Sequence, residues 1–206
     1  MADKSECWDR LLRSPFPCDH IIQLYADDAV LIRALARFVG AGLGQGEAAI
    51  VVATAKHVAA LTERLTAVGC DVATSAGHGA FVAVDAKRTL ARFMVDGMPD
   101  RAAFRSVIVP VLDRLRDAGY GKIRLFGEMV NALWEHKNDA ATVRLEELWN
   151  ELIDDYRVCL LCAYHIDPID AELRRGLLHK ITRCHSHSFA DDFEVLGPEN
   201  TDLTAA

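Results

Sequence analysis

Four stretches of the sequence place ionisable or aromatic side chains at the end of a short apolar run. Tyr25 and Asp28 end or follow HIIQLYA, Thr54 and His57 end or follow AAIVVAT, and Glu128 and Met129 follow KIRLFG. Tyr164 and His165 close RVCLLCAYH, with Cys162 inside it. Gathered at one edge of a sheet, such carboxylate, imidazole and hydroxyl groups could orient the polar atoms of a small molecule, while aromatic rings and Met129 walled its apolar part. Each residue also has a plain structural role. Asp27 or Asp28 can cap a helix, His57 can sit exposed on a first helical turn, and Glu128 can simply favour a helix N-terminus.

These groups share an edge only if the apolar runs are parallel strands. HIIQLYA (20–26) reads as a strand, and after Asp27 or Asp28 the residues Leu31, Leu35, Phe38 and Gly42 keep helical spacing. AAIVVAT (48–54) reads as a strand buried on both faces, and Val58, Leu61, Leu65 and Val68 then recur at helical intervals up to Gly69. GAFVAVD (79–85) predicts a third strand, followed by a helix over 86–95 and a longer one carrying Phe104, Val107, Val111 and Leu115, kinked at Pro110. KIRLF (122–126), a helical stretch over 130–136 and a helix through Leu145, Leu148 and Leu152 come next. RVCLLCAYH (157–165) is the strongest strand, and one final helix carries Leu173, Leu177 and Ile181. Strands alternating with helices predict an α/β fold, a mainly parallel sheet with helices on both faces. In such sheets ligands bind beyond the carboxyl ends of the strands, where the nine residues Tyr25, Asp28, Thr54, His57, Glu128, Met129, Cys162, Tyr164 and His165 should lie.

Other motifs carry less. The glycines of 40–46 lack both common phosphate-loop spacings, and they follow a helix rather than open one, so they read as a helix end and turn. Cys159 and Cys162 form a C-x-x-C within a strand, which puts the two thiols on opposite faces, with Cys162 beside Leu160 and Tyr164. His185 and His187 could ligate a metal together if their backbone is extended, but no second Cys/His pair stands nearby in sequence. The plain alternative is a histidine bonded to the last carbonyls of a helix. No G-x-S-x-G appears and no triad spacing is recognisable.

With 206 residues, 51% of them hydrophobic, the chain can bury one large core. A net charge of −7, with Lys and Arg scattered among acids, excludes a nucleic-acid footprint. The N-terminus lacks the pattern of a signal peptide and no apolar run is long enough to span a membrane, so the expectation is a cytoplasmic protein with reduced cysteines.

The succession HIIQLYADDAVLIRALARFVGAGLGQGEAAIVVATAKH, RLFGEMVNALWEHKNDAATVRLEELWNEL, LLCAYHID and ITRCHSHSF resembles the MEDS family, the sensory domain of methanogens, methylotrophs and the dichloromethane-responsive regulator. The likeness runs from about residue 18 to 196, leaving 1–17 as an N-terminal extension and 197–206 as a flexible polar tail. It implies a RecA/KaiC-like core without a phosphate-binding loop, whose place is held by YADDAVL, where carboxylates would repel a triphosphate. It implies a non-catalytic sensor of a small molecule, hydrocarbon-derived in kind; no metal ligands are assigned from the sequence. Such a chain would act on a separate partner such as a histidine kinase or a sigma-factor regulator, as a monomer or a homo-oligomer. No cofactor is indicated. Two other readings stand beside it. One is a metal-binding protein or enzyme using His20, Glu128, Cys162, His165 and Cys184 to His187; the other is an adaptor that binds no ligand.

Overall fold

The computed structural model describes residues 4–190. Before the first strand, α1 (Lys4–Arg13) lays Trp8 and Leu12 inward. The core follows as β1 (His20–Tyr25), α2 (Asp28–Gly44), β2 (Ala48–Ala53), α3 (Ala55–Ala67), α4 (Val72–Gly77) and β3 (Phe81–Asp85). Next come α5 (Ala86–Ala91), a small hairpin of β4 (Met94–Val95) and β5 (Met98–Pro99), and α6 (Arg101–Asp117). The chain continues through β6 (Ile123–Gly127), α7 (Met129–Glu135), α8 (Asp139–Tyr156), β7 (Cys159–His165), α9 (Pro168–Leu173), α10 (Arg175–Arg183) and β8 (His187–Ala190).

Six strands form one parallel sheet in the order β3-β2-β6-β7-β1-β8. Alternation within each strand sends residues to two separate cores. Ile22, Leu24, Ile50, Val52, Leu160, Cys162 and Tyr164 face α5 to α8 and α10. Ile21, Tyr25, Ala49, Val51, Leu161 and Ala163 face α1 to α4. Both faces are therefore covered, which is why the strands read as apolar runs rather than alternating ones. The architecture is the α/β sheet expected, and it is compatible with a RecA/KaiC-like core. No helix of the described residues is long and apolar enough to cross a membrane.

Several local expectations change. The helix predicted over 86–95 stops at Ala91, because Asp96 and Gly97 take φ values of 49° and 78° and close the β4–β5 hairpin. That pair is the Asp-Gly signal of a two-residue hairpin turn. The final helix divides into α9 and α10, so Leu173 is exposed while Leu178 and Ile181 are buried. β7 starts at Cys159 rather than Arg157, since Arg157 is the left-handed residue that ends α8. The short elements α4 and β8 have no counterpart in the periodicity reading. The expected tail over 197–206 lies outside the described residues.

One buried cation ties the N-terminal helix to the sheet. Arg124 of β6 donates Nε–H to Glu47 at 2.5 Å and further N–H groups to the carbonyls of Leu12, Phe38 and Arg13 at 2.9, 2.8 and 3.1 Å. Its guanidinium passes so close to Gly42 that a Cβ there would stand 2.5 Å from Nε. The glycine cluster is thus a helix end, as its position predicts, and one of its members is required by packing rather than by a phosphate.

Candidate functional site

The carboxyl ends of β1, β2 and β6 bring three of the expected residues into one polar chain. Asp27, not Asp28, caps α2, accepting the Ala29 N–H at 2.8 Å. This leaves the Asp28 carboxylate to meet α3, where it pairs with Lys56 Nζ at 2.5 Å and His57 Nε2 at 3.4 Å. The other ring nitrogen of His57, Nδ1, lies 2.9 Å from Glu128 Oε1. Thr54 organises the junction: its backbone N–H donates to Glu128 Oε2 at 2.9 Å, and its side chain caps α3 by accepting the His57 backbone N–H at 3.3 Å.

His57 and Glu128 are both buried, so His57 is not the exposed first-turn residue that its position allowed. Glu128 occupies the N-cap position of α7 but makes no side-chain cap hydrogen bond. Its carboxylate is spent on Thr54 and His57 instead, which excludes a purely helix-starting role. Glu128 raises the pKa of His57 against the opposing effect of burial, with Asp28 adding to it. Two flanking carboxylates favour the protonated form of the imidazole. The Lys56 contact, and then His57, hold Asp28 below the usual carboxylate range.

Beside this chain, the buried ring of Tyr25 meets His165 edge to face with centroids 5.4 Å apart. Burial pushes the Tyr25 hydroxyl pKa up, and the charges of Glu128 and Asp28 push it further. His165 is exposed, and its backbone N–H donates to Asn131 Oδ1 at 2.8 Å. Asn131 in turn donates to Glu135 at 3.0 Å. Lys56 and Asn131 belong to this edge although sequence reasoning passed over them. Lys56 had a signal, as the neighbour of His57 on a first helical turn.

The remaining three predicted residues do not join them. Parallel register pairs Leu24 with Tyr164 and Tyr25 with His165, so Tyr25 and Tyr164 point to opposite faces of the sheet. Met129, Cys162 and Tyr164 are all fully buried in the core under α7 and α8. A pocket walled jointly by Tyr25, Met129 and Tyr164 is therefore not formed; period-two alternation forbids it.

Cys162 and Tyr164 instead meet a group that involves His20, Glu146 and His185. Tyr164 donates its hydroxyl to Glu146 Oε1. Glu146 Oε2 lies 3.3 Å from His20 Nε2, 3.6 Å from His185 Nε2 and 3.7 Å from Cys162 Sγ. His20 Nε2 is 3.4 Å from Cys162 Sγ. Burial lowers the His185 pKa to about 4 and raises that of the Cys162 thiol. Among the described residues, His20, Glu146, Cys162 and His185 are the set whose ligand atoms all lie within 4.8 Å of one another. His187 is not part of it; it turns away to Asp19, 3.3 Å from Oδ1.

The model of the MEDS domain, the methanogen/methylotroph, DcmR sensory domain, matches residues 19–186. The chain belongs to the MEDS family. Residues 19–186 of this MEDS chain span the strands from β1 to β7 and every residue of both polar groups, while α1 lies outside the match. No curated protein matches the chain.

Proposed function

We propose that this MEDS chain is a non-catalytic sensory domain. It binds a small, hydrocarbon-derived molecule with polar atoms at the carboxyl edge of the sheet and regulates a separate signalling protein, a histidine kinase or a sigma-factor regulator. The observation that carries this reading is the Asp28–His57–Glu128 chain. It occupies the edge where parallel sheets receive ligands, in a chain whose family is sensory. Tyr25 and His165 supply an aromatic wall and an exposed imidazole next to it. Asp28 and Glu128 are already paired with Lys56 and His57, which suits a small ligand without the charge of a nucleotide triphosphate.

The test is a thermal-shift screen of short alcohols, amines and halogenated hydrocarbons, followed by calorimetry on any compound that raises stability. Glu128→Gln and His165→Ala are expected to weaken binding of that compound while the far-ultraviolet circular dichroism stays native. Equal affinity in wild type and both variants would remove the ligand from this edge. Absence of any stabilising compound in the panel would favour the adaptor reading.

A further inference from the structure

The second polar group sits on the opposite sheet face and is not used by the reading above. Its members come from four elements: His20 from β1, Cys162 from β7, Glu146 from α8 and His185 from the turn after α10. We propose that His20, Glu146, Cys162 and His185 form a tetrahedral site for a divalent transition metal of the zinc class.

Hydrogen bonding fixes both imidazoles with a lone pair inward. His20 Nδ1 faces two acceptors, Asn150 Oδ1 at 2.8 Å and the Cys184 carbonyl at 3.1 Å, so Nδ1 carries the proton and Nε2 is bare. His185 Nδ1 faces the Ile181 carbonyl at 2.8 Å, which bares its Nε2 in the same way. The His185 side chain is wholly buried, and its Nε2 has no hydrogen-bond partner. Two imidazole lone pairs and one carboxylate oxygen thus face each other, with the Cys162 thiol as the one donor among the four side chains. A further proton on His20 would satisfy its contact with Glu146 and still leave His185 Nε2 aimed at a carboxylate. A cation at the centre resolves every one of these contacts.

The spacing fits a metal. Bonds of 2.0–2.3 Å to nitrogen, oxygen and sulfur in a tetrahedron place the ligand atoms about 3.3–3.8 Å apart. Four of the six separations here run from 3.3 to 3.7 Å, and the other two, from His185 to His20 and to Cys162, stay within 4.8 Å. Charge fits too, because one thiolate and one carboxylate neutralise a divalent ion, so the buried site carries no net charge. Two imidazoles and a sulfur favour zinc, iron(II) or cobalt over magnesium or calcium. The supports expected around a metal are in place: Asn150 and Cys184 orient His20, the Ile181 carbonyl orients His185, and Tyr164 holds the remaining oxygen of Glu146. Binding forms the metal–sulfur bond and releases the Cys162 proton to solvent.

Elemental analysis of the chain expressed with added zinc, and separately with added iron, is expected to find stoichiometric metal. The stripped protein titrated with Co²⁺ under anaerobic conditions should develop visible tetrahedral bands and a near-ultraviolet thiolate-to-cobalt band. Cys162→Ser should lose the thiolate band, and Tyr164→Phe should weaken Co²⁺ affinity about 10–100-fold. Glu128→Gln, on the other sheet face, should bind Co²⁺ as wild type does. If Cys162→Ser does not fold, a rise in wild-type thermal stability on adding Zn²⁺ that is absent in His185→Ala carries the same conclusion. Metal-free protein after both supplementations and no cobalt spectrum would overturn the proposal, as would a thiolate band that persists in folded Cys162→Ser.

Discussion

His57 and Glu128 are 71 positions apart in sequence, yet Nδ1 of one lies 2.9 Å from Oε1 of the other across the carboxyl edge of the sheet. The pair joins the first turn of α3 to the end of β6, and its consequence is a pH dependence. Glu128 raises the folded pKa of His57 above the ordinary value near 6.5. A raised pKa contributes stability that is complete below about pH 6.5 and fades as pH rises through the folded value. The unfolding free energy of wild type minus that of His57→Gln should therefore shrink from mildly acidic to alkaline pH. Urea titrations at a series of pH values would show it, and a constant difference would mean that folding does not raise the pKa of His57.

Removing the Glu128 carboxylate altogether should cost more than neutralising it. Glu128→Ala strips the acceptor from the part-buried Thr54 N–H and leaves His57 with one carboxylate neighbour. A fully buried donor left unpaired costs about 1–3 kcal/mol, and the part-buried Thr54 N–H should fall toward the lower end. Glu128→Gln keeps an oxygen for Thr54, so its midpoint in urea should lie between those of wild type and the alanine variant.

Glu47 and Arg124 predict a larger loss. Glu47→Ala leaves the buried guanidinium without its counter-charge, a change of about 3–5 kcal/mol. Gly42→Ala attacks the same anchor sterically, because its Cβ would enter the space of Arg124 Nε and Cδ. Chemical denaturation should find both variants less stable than wild type. A neutral Gly42→Ala would show that the guanidinium can move aside.

The N-terminal helix should behave as part of the fold although it precedes the family match. Leu12 is completely buried, and Trp8 stacks on Phe189 of β8 at 4.6 Å. Leu12→Ala should lose about 2–5 kcal/mol, read by urea unfolding. A loss below 1 kcal/mol, about the scale of an ordinary surface change, would mean that α1 is docked only loosely.

By itself the sequence determined the α/β class, the strands from β1 to β7 other than the small hairpin, the lack of a phosphate loop and the presence of chemistry-bearing residues at strand ends. These are local: apolar runs, helical spacing and caps are written in neighbouring residues. The opposed faces of Cys159 and Cys162 were legible for the same reason, as period-two alternation needs no partner. Thr54, His57 and Glu128 could be named, but only the packing of α3 against the end of β6 decided that they touch.

Tertiary structure alone decided the rest. Which of nine candidate residues share a face depended on strand register, which separated Tyr25 and His165 from Met129, Cys162 and Tyr164. Glu146 reads as one polar residue on an acidic helix, yet α8 turns it into the core to meet His20, Cys162 and His185. Its ligand-like company spans 165 positions of chain, from His20 to His185, a distance no local pattern encodes. The short strand β8 and the burial of α1 were likewise fixed by contacts between segments far apart in sequence. Local preferences propose elements, and long-range packing selects which of their side chains meet.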